Sequence, residues 1–245
     1  MRLDKLLANM GFGSRKDVKE SLKKKYVTVN DNTVKDGSMH IDTATDIVKV
    51  LGETIRYQKY VYLMMNKPPG FISATADRSE RTVIDIVNKD YQHFNPFPVG
   101  RLDKDTEGLL LLTNDGELAH QLTSPKKDVS KTYFAKIDGN VTETDILKFK
   151  AGVVLEDGYK AKPAHLCILS AGHTSEVKVT ITEGKYHQVK RMFEAVDKKV
   201  THLKRLRMGS LTLDENLEQG GYRELNRQEL EYCLSLKDSK KRADI

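Results

Sequence analysis

Gly100-Arg101-Leu102-Asp103-Lys104-Asp105-Thr106-Glu107-Gly108-Leu109-Leu110-Leu111-Leu112-Thr113-Asn114-Asp115-Gly116 sits near the middle of a chain of 245 residues. Its second half is a short apolar run, Leu109 to Leu112, bounded by Gly108 and by Asn114-Asp115-Gly116. That length and those boundaries predict a buried strand. Its first half sets a group of charges between this run and the apolar approach Pro98-Val99. The charges therefore fall on a loop held at both ends, at the rim of a core, where binding and catalytic residues concentrate. Arg101 and Asp103 stand two residues apart and share a face on extended backbone. A basic neighbour keeps a carboxylate ionised. Asp103, Asp105 and Glu107 also alternate with Lys104 and Thr106 as a solvated turn would, so spacing alone leaves both readings open.

On the C-terminal side, Asn114 or Asp115 caps a helix over Glu117 to Leu122, which Ser124-Pro125 ends. Alternation predicts strands over Lys131–Ile137, Glu176–Thr182, Val200–Arg207 and Leu211–Leu213, with a further extended segment at Gly152–Leu155. Helical spacing covers Thr142–Phe149 and His187–Val196, and Asn226 caps a last helix. On the N-terminal side, Val61–Met65 reads as a strand entering the rigid turn Asn66-Lys67-Pro68-Pro69-Gly70. Thr82 caps a short helix to Val87, and Tyr91–Pro98 reads as irregular. Many strands with a few interspersed helices argue an α+β fold, with a mostly antiparallel mixed sheet flanked by helices.

The first 60 residues read as a domain of their own. Leu3, Leu6, Leu7 and Met10 have helical spacing, Gly11-Phe12-Gly13 breaks the helix, and Ser14 caps a second one. On that second helix Val18 and Leu22 face one way while Arg15, Lys16, Lys19 and Lys23 gather on the other. Short strands follow at Tyr26–Val29 and Asp46–Val50, and residues 52–60 read as a polar linker. The domain bounds expected are 1–60, 61–236 and a charged, disordered tail over 237–245.

Composition narrows the class. Apolar residues make up 38% and charged residues 31%, and no apolar stretch reaches membrane-spanning length, so no membrane partner is expected. The N-terminus opens straight into a helical pattern without a signal peptide. Cys167 and Cys233 lie too far apart for a disulfide framework or a metal site, which points to a reducing cytoplasm. The net charge of +6 is uneven. Residues 1–60 carry 12 Lys and Arg against 8 Asp and Glu, and the remainder carries 29 against 27. A basic head on a nearly balanced body suggests a polyanion partner.

Arg2-Leu3-Asp4-Lys5-Leu6-Leu7, Ser14-Arg15-Lys16 and Val27-Thr28-Val29-Asn30 resemble the S4 (αL-type) RNA-binding domain. Lys25 and Asp31 stand where that family usually has Gly, so Lys25 is expected in a left-handed conformation at a local cost. Four further stretches occur in a telling order: Asn66-Lys67-Pro68-Pro69-Gly70, Gly100-Arg101-Leu102-Asp103, Lys131-Thr132-Tyr133, and Glu183-Gly184-Lys185-Tyr186-His187-Gln188-Val189-Lys190-Arg191-Met192-Phe193. Together they resemble the RsuA family of pseudouridine synthases. Thr123-Ser124-Pro125 ahead of Lys131-Thr132-Tyr133 looks more like its small-subunit (16S) rRNA branch than the large-subunit relatives. Asp197 departs from the Gly that commonly closes the third motif's helix.

The resemblance implies isomerisation of a uridine in ribosomal RNA, by a monomer that needs no cofactor or metal. It makes Asp103 the nucleophile, assisted by Tyr133, Lys190 and Arg101. Lys190 is expected to keep the Asp103 carboxylate charged in a pocket closed by RNA; at ~4 Å and an effective dielectric of ~20 that attraction is ~4 kcal/mol. Tyr133 stacks on the uracil, and Arg101 fills the space that the flipped base vacates. The RNA-contacting residues expected are Arg2, Lys5, Arg15, Lys16, Lys19, Lys23, Lys67, His187, Gln188 and Arg191. Two readings compete with this. A glycosidase would pair Asp103 with Asp105 or Glu107. A non-catalytic S4-type ribosome-assembly protein would bind RNA and use the body as a scaffold.

Overall fold

The structure, a computed structural model, describes residues 1–241, with side chains through Lys237. Its chain divides into two compact units: residues 1–61 with 88–96, and residues 62–87 with 97 onward.

The first unit opens with α1 (Leu3–Asn9) and α2 (Arg15–Lys23). Ser14 caps α2 in a reciprocal box with Asp17, satisfying backbone donors that a helix start leaves open. A small antiparallel sheet follows, built from β1 (Val27–Val29), β2 (Asn32–Thr33), β3 (Val48–Val50) and β4 (Glu53–Ile55) in the order β2-β1-β3-β4. Leu3, Leu6, Leu7, Val18, Leu22, Val27, Val29 and Val48 form the core between helices and sheet. β4 corrects the reading of 52–60 as wholly linker; its pattern is mostly exposed, so no apolar period announced it. A single helical turn, α3 (Lys89–Gln92), also belongs to this unit and corrects the irregular reading there. Lys25 and Asp31 do adopt left-handed backbone, with φ of 62° and 64°.

The second unit is built on a mixed sheet. In chain order its elements are β5 (Tyr62–Lys67), β6 (Phe97–Pro98), β7 (Glu107–Thr113), α4 (Gly116–Thr123), β8 (Lys131–Asp138), α5 (Glu143–Ala151), β9 (His165–Ser170), β10 (Thr174–Ile181), α6 (Gln188–Glu194), β11 (Lys199–Met208), β12 (Leu211–Thr212), β13 (Tyr222–Glu224) and α7 (Arg227–Lys241). A 3-10 turn over Val83–Ile86 stands where a short helix was expected, with Thr82 at its cap. The main strand order is β13-β5-β7-β11-β8-β10-β9, with β6 beside β7 and β12 beside β11. β7 and β11 run parallel and the other pairings are antiparallel.

β5 is buried along its whole length and β7 almost so, which is why both read as continuous apolar runs. β8 and β10 are covered on one face and alternate instead. Gly108 makes the parallel crossing possible. Its φ is 97°, and a Cβ there would stand 2.3 Å from the Arg205 carbonyl oxygen, so no other residue fits. Gly152–Leu155 does not form a strand; Val154 contributes one bridge to Lys160. The expected disordered tail is also corrected in part. α7 continues through Lys241, and Lys237 reaches the Asp115 carboxylate at 2.7 Å. Residues 242–245 of that expected tail lie outside the described residues.

Candidate active site

The Gly100–Thr106 loop leaves β6 and enters β7, and its backbone is pinned from below. Ser73 Oγ donates to the Leu102 carbonyl at 2.9 Å and accepts from the Leu102 amide at 3.0 Å. Lys67 lies 0% exposed beneath the loop and donates to the carbonyls of Pro68 (3.0 Å), Lys104 (3.3 Å) and Thr106 (2.8 Å). The Gly70 amide adds a bond to Lys104 O at 2.7 Å. With its flanking carbonyls held, Asp103 projects from a fixed backbone, the arrangement that positions a reacting group without ordering it at each turnover.

Lys67 is thereby corrected as an RNA contact: it has no surface to offer. Burial pushes its amine down to about 8, against the pull of the Asp105, Asp103 and Glu107 charges. The turn Asn66-Lys67-Pro68-Pro69-Gly70 is thus an anchor for the loop that carries Asp103.

Opposite Asp103, β8 presents Tyr133, largely buried, between Val179 of β10 and Arg205 of β11. Asp103, Arg101, Tyr133, His187 and Val189 line one cavity. Arg101 is exposed at its mouth. α6 and the residue that caps it close the other side. Lys190 Nζ is 3.6 Å from Asp103 Oδ2, and His187 Nε2 is 3.6 Å from Asp103 Oδ1. The ammonium is shared, however. It donates to both oxygens of Asp105, at 2.7 and 2.8 Å. Lys190 stands beside Asp103 at about the separation expected, but Asp105 is its nearer partner. Burial works against the Asp105 charge, but the Lys190 hydrogen bond and charge outweigh it and hold that carboxyl below its ordinary range.

The loop before α6 has its own anchor. Glu183 is buried and accepts from Tyr159 Oη (2.6 Å), the Lys162 amide (2.9 Å) and Gln188 Nε2. Gln188 Oε1 accepts from the Lys185 amide at 2.8 Å. Burial opposes the Glu183 charge, yet these donors hold its carboxyl below the usual range. Gln188 is therefore corrected too: it braces the loop from inside. Arg191 points away from Asp103 and pairs with Asp157 at 2.6 Å. At the other end of the helix Asp197 takes the left-handed conformation, φ 59°, where Gly is usual.

Ser73 and Arg205 carry no role in the sequence reading, and Glu183 enters it only as the first residue of a motif. Arg205 is buried, and its Nε donates to Leu109 O at 2.7 Å, tying β11 to the strand that leaves the Asp103 loop. The alternation Leu203-Lys204-Arg205 was its one signal, since it places Arg205 on the buried face with Leu203.

On the first unit, Lys5, Arg15, Lys16, Lys19 and Lys23 are exposed. Arg2 is exposed too, and also donates to Asp4 at 3.1 and 2.6 Å.

Residues 61–195 match the family model for RNA pseudouridylate synthase, and residues 1–48 match the S4 domain. This chain belongs to the RNA pseudouridylate synthase family. Similar chains include an uncharacterized RNA pseudouridine synthase of Bacillus subtilis, 52% identical over 94% of this chain and 97% of that one. The ribosomal small subunit pseudouridine synthase A of Vibrio vulnificus is 40% identical over 94% and 98%. The ribosomal large subunit pseudouridine synthase B of Bacillus subtilis is 39% identical over 99% of both chains. Among solved structures, a pseudouridylate synthase crystal structure superposes with a TM-score of 0.67 at 36% identity, over 95% of this chain and 99% of that one. As a family member the chain is an isomerase acting on uridine in RNA. Among its described residues no helix is long and apolar enough to cross a membrane.

Proposed function

We propose that this enzyme converts a uridine of small-subunit (16S) ribosomal RNA to pseudouridine, with Asp103 as nucleophile. The observation that carries the reading is the pinned Asp103 carboxylate, facing Tyr133 across one cavity with Lys190 and His187 at 3.6 Å. In the reaction the N1–C1′ bond breaks, the uracil turns, and a C5–C1′ bond forms. The C5 proton leaves and N1 gains one, so the product is an isomer. Asp103 assists departure of the base, and the Lys190 ammonium beside it disperses negative charge. Tyr133 supports the ring face and offers its hydroxyl for proton transfer. Arg101, exposed at the cavity mouth, occupies the gap in the RNA left by the flipped nucleotide. The basic face of α2 holds the RNA through phosphates. The enzyme works in the cytoplasm as a monomer.

Identities of 40% to a small-subunit enzyme and 39% to a large-subunit enzyme weigh equally. Thr123-Ser124-Pro125 tips the proposal to 16S rRNA. Mapping pseudouridines in both rRNAs, from cells with and without the gene, tests it. One 16S position should lose its mark without the gene. A lost mark in 23S rRNA instead would move the target to the large subunit, and no lost mark in either would overturn the rRNA assignment.

A further inference from the structure

Tyr186 is 75% exposed, an unusual position for a large ring in a loop otherwise braced from inside. It does not hang free. Its ring stacks on His187, with centroids 3.8 Å apart and planes 16° from parallel. Adjacent residues seldom stack so. Here His187 takes a left-handed backbone, φ 49°, which folds its ring back against its neighbour's at some conformational cost. The loop's anchors lie on either side of the pair: Glu183 is bound by Tyr159, and Gln188 by the Lys185 amide. The second ring of the stack is the one whose Nε2 stands 3.6 Å from Asp103. Asp103, Arg101, Tyr186 and His187 border a cavity that adjoins the smaller one lined by Tyr133, the two sharing Arg101, Asp103 and His187.

A flat aromatic surface fixed beside the reacting carboxylate suits one kind of ligand. An unstacked nucleobase has two π-faces and no need of a particular edge. Aromatic side chains that stack bases in this way are a sequence-tolerant grip on single strands. Tyr133 already serves the target base, and a strand opened to release that base leaves its neighbour without a stacking partner. We propose that the Tyr186–His187 pair is a second base platform, which stacks the nucleotide next to the target uridine while Asp103 acts. This rests on the functional reading above and adds to it a binding position outside the reacting nucleotide. A hydroxyl contact or a purely structural ring would use the same residue differently, and the tests separate these.

The probe is a short oligouridylate carrying a single 2-aminopurine, titrated with the full-length protein. Stacking on Tyr186 quenches the 2-aminopurine fluorescence. Wild type and Tyr186→Phe should quench alike, while Tyr186→Ala should lose the quench and bind about tenfold more weakly. In pseudouridine formation on rRNA from cells lacking the gene, the Tyr186→Ala loss should fall on KM more than on kcat. The melting temperature of Tyr186→Ala should match wild type, because the ring is mostly in solvent. Quenching by Tyr186→Ala equal to wild type would overturn the platform. So would a Tyr186→Phe protein as weak as Tyr186→Ala, or a binding loss that accompanies a lowered melting temperature. A wild-type protein that quenches through Tyr186 yet marks no rRNA would sink the rRNA reading and leave the platform standing.

Discussion

The two units handle positive charge in opposite ways. On α2 of the first unit Arg15, Lys16, Lys19 and Lys23 stand exposed, with no ion pair among the described residues. In the second unit the cations that matter are turned inward and occupied. Lys67 holds three carbonyls, Lys190 two carboxylates, and Arg205 a strand carbonyl. Exposed cations act at long range through phosphate neutralisation and counterion release, so their effect follows salt. Buried cations act by fixing geometry, so their effect appears in rate and is nearly indifferent to salt. The same residue type thus has two signatures, and each variant below should fall on one side.

The largest effect belongs to the carboxylate itself. Asp103→Asn keeps the side-chain shape and removes the charge, so pseudouridine formation should fall by about a thousandfold or more while RNA affinity and its salt slope persist. Pseudouridine produced at an undiminished rate by this variant would end the assignment. Next comes Lys67→Met. Its nearly isosteric apolar chain removes a desolvation cost together with three hydrogen bonds, so these oppose each other in stability. The Asp103 loop has nothing to replace its anchor. Turnover should drop about a hundredfold, the size expected of a misplacement of about an ångström, with the salt slope of binding unchanged. A flattened slope would return Lys67 to the RNA surface.

Lys67 also makes a pH test. Its amine falls on folding from 10.5 to about 8. Between those values the unfolded chain binds the extra proton, so this residue makes the fold more stable as pH rises through the window. The neutral amine, however, has two hydrogens for three carbonyls. Wild-type turnover should therefore decline above about pH 8 while global stability does not, and Lys67→Met should lack that limb. Parallel pH–rate and denaturant titrations would show whether the two curves diverge.

The exposed side predicts a smaller, salt-borne change. Arg15, Lys16, Lys19 and Lys23 replaced together by Gln should weaken rRNA binding about tenfold or more at physiological salt. The log–log salt slope should fall by roughly one for each phosphate that is no longer neutralised, with the melting temperature little altered. Substitution is cleaner than deleting residues 1–58, because residues 88–96 pack with that unit and would lose their core. A slope unchanged in the quadruple variant would mean that α2 is merely solvated.

What was legible in the chain divides along the same line. β5 and β7 announced themselves as apolar runs because both their faces are covered, and β8 and β10 by alternation because one is. β4 and β13 have three residues each, and these and the longer β9 have largely exposed or half-exposed patterns that nothing periodic marks. The placement of residues 88–96 with the first unit is tertiary and leaves no local trace. In the site, Asp103, Tyr133 and Lys190 stood out through motif order, and the structure puts them around one another. Lys67 and Gln188 look like surface from sequence because a polar side chain gives no sign of its partners; those partners are backbone carbonyls across the sheet for Lys67, and for Gln188 a glutamate five residues back that the loop folds into its reach. Asp105 was weighed only as a rival catalytic carboxylate.

That rivalry gives the smallest and most discriminating test. Asp105 grips Lys190 more closely than Asp103 does, at 2.7 against 3.6 Å, yet its side chain is 72% exposed. Exposed ion pairs contribute about 0–1 kcal/mol. Asp105→Asn should therefore cost little stability, and it leaves the Lys190 ammonium with Asp103 as its one carboxylate partner in this cluster. The rate should stay within about fivefold of wild type, which corresponds to about 1 kcal/mol. A glycosidase that divides acid and nucleophile between two carboxylates predicts the opposite, a collapse comparable with Asp103→Asn together with release of free base. Measuring pseudouridine and free uracil in the same reaction separates the two, since isomerisation keeps the base on the strand. If Asp105→Asn proved as damaging as Asp103→Asn, the grip of Asp105 on the shared ammonium would have to matter to the chemistry itself, and the boundary between groups that hold geometry and groups that react would move to include Asp105.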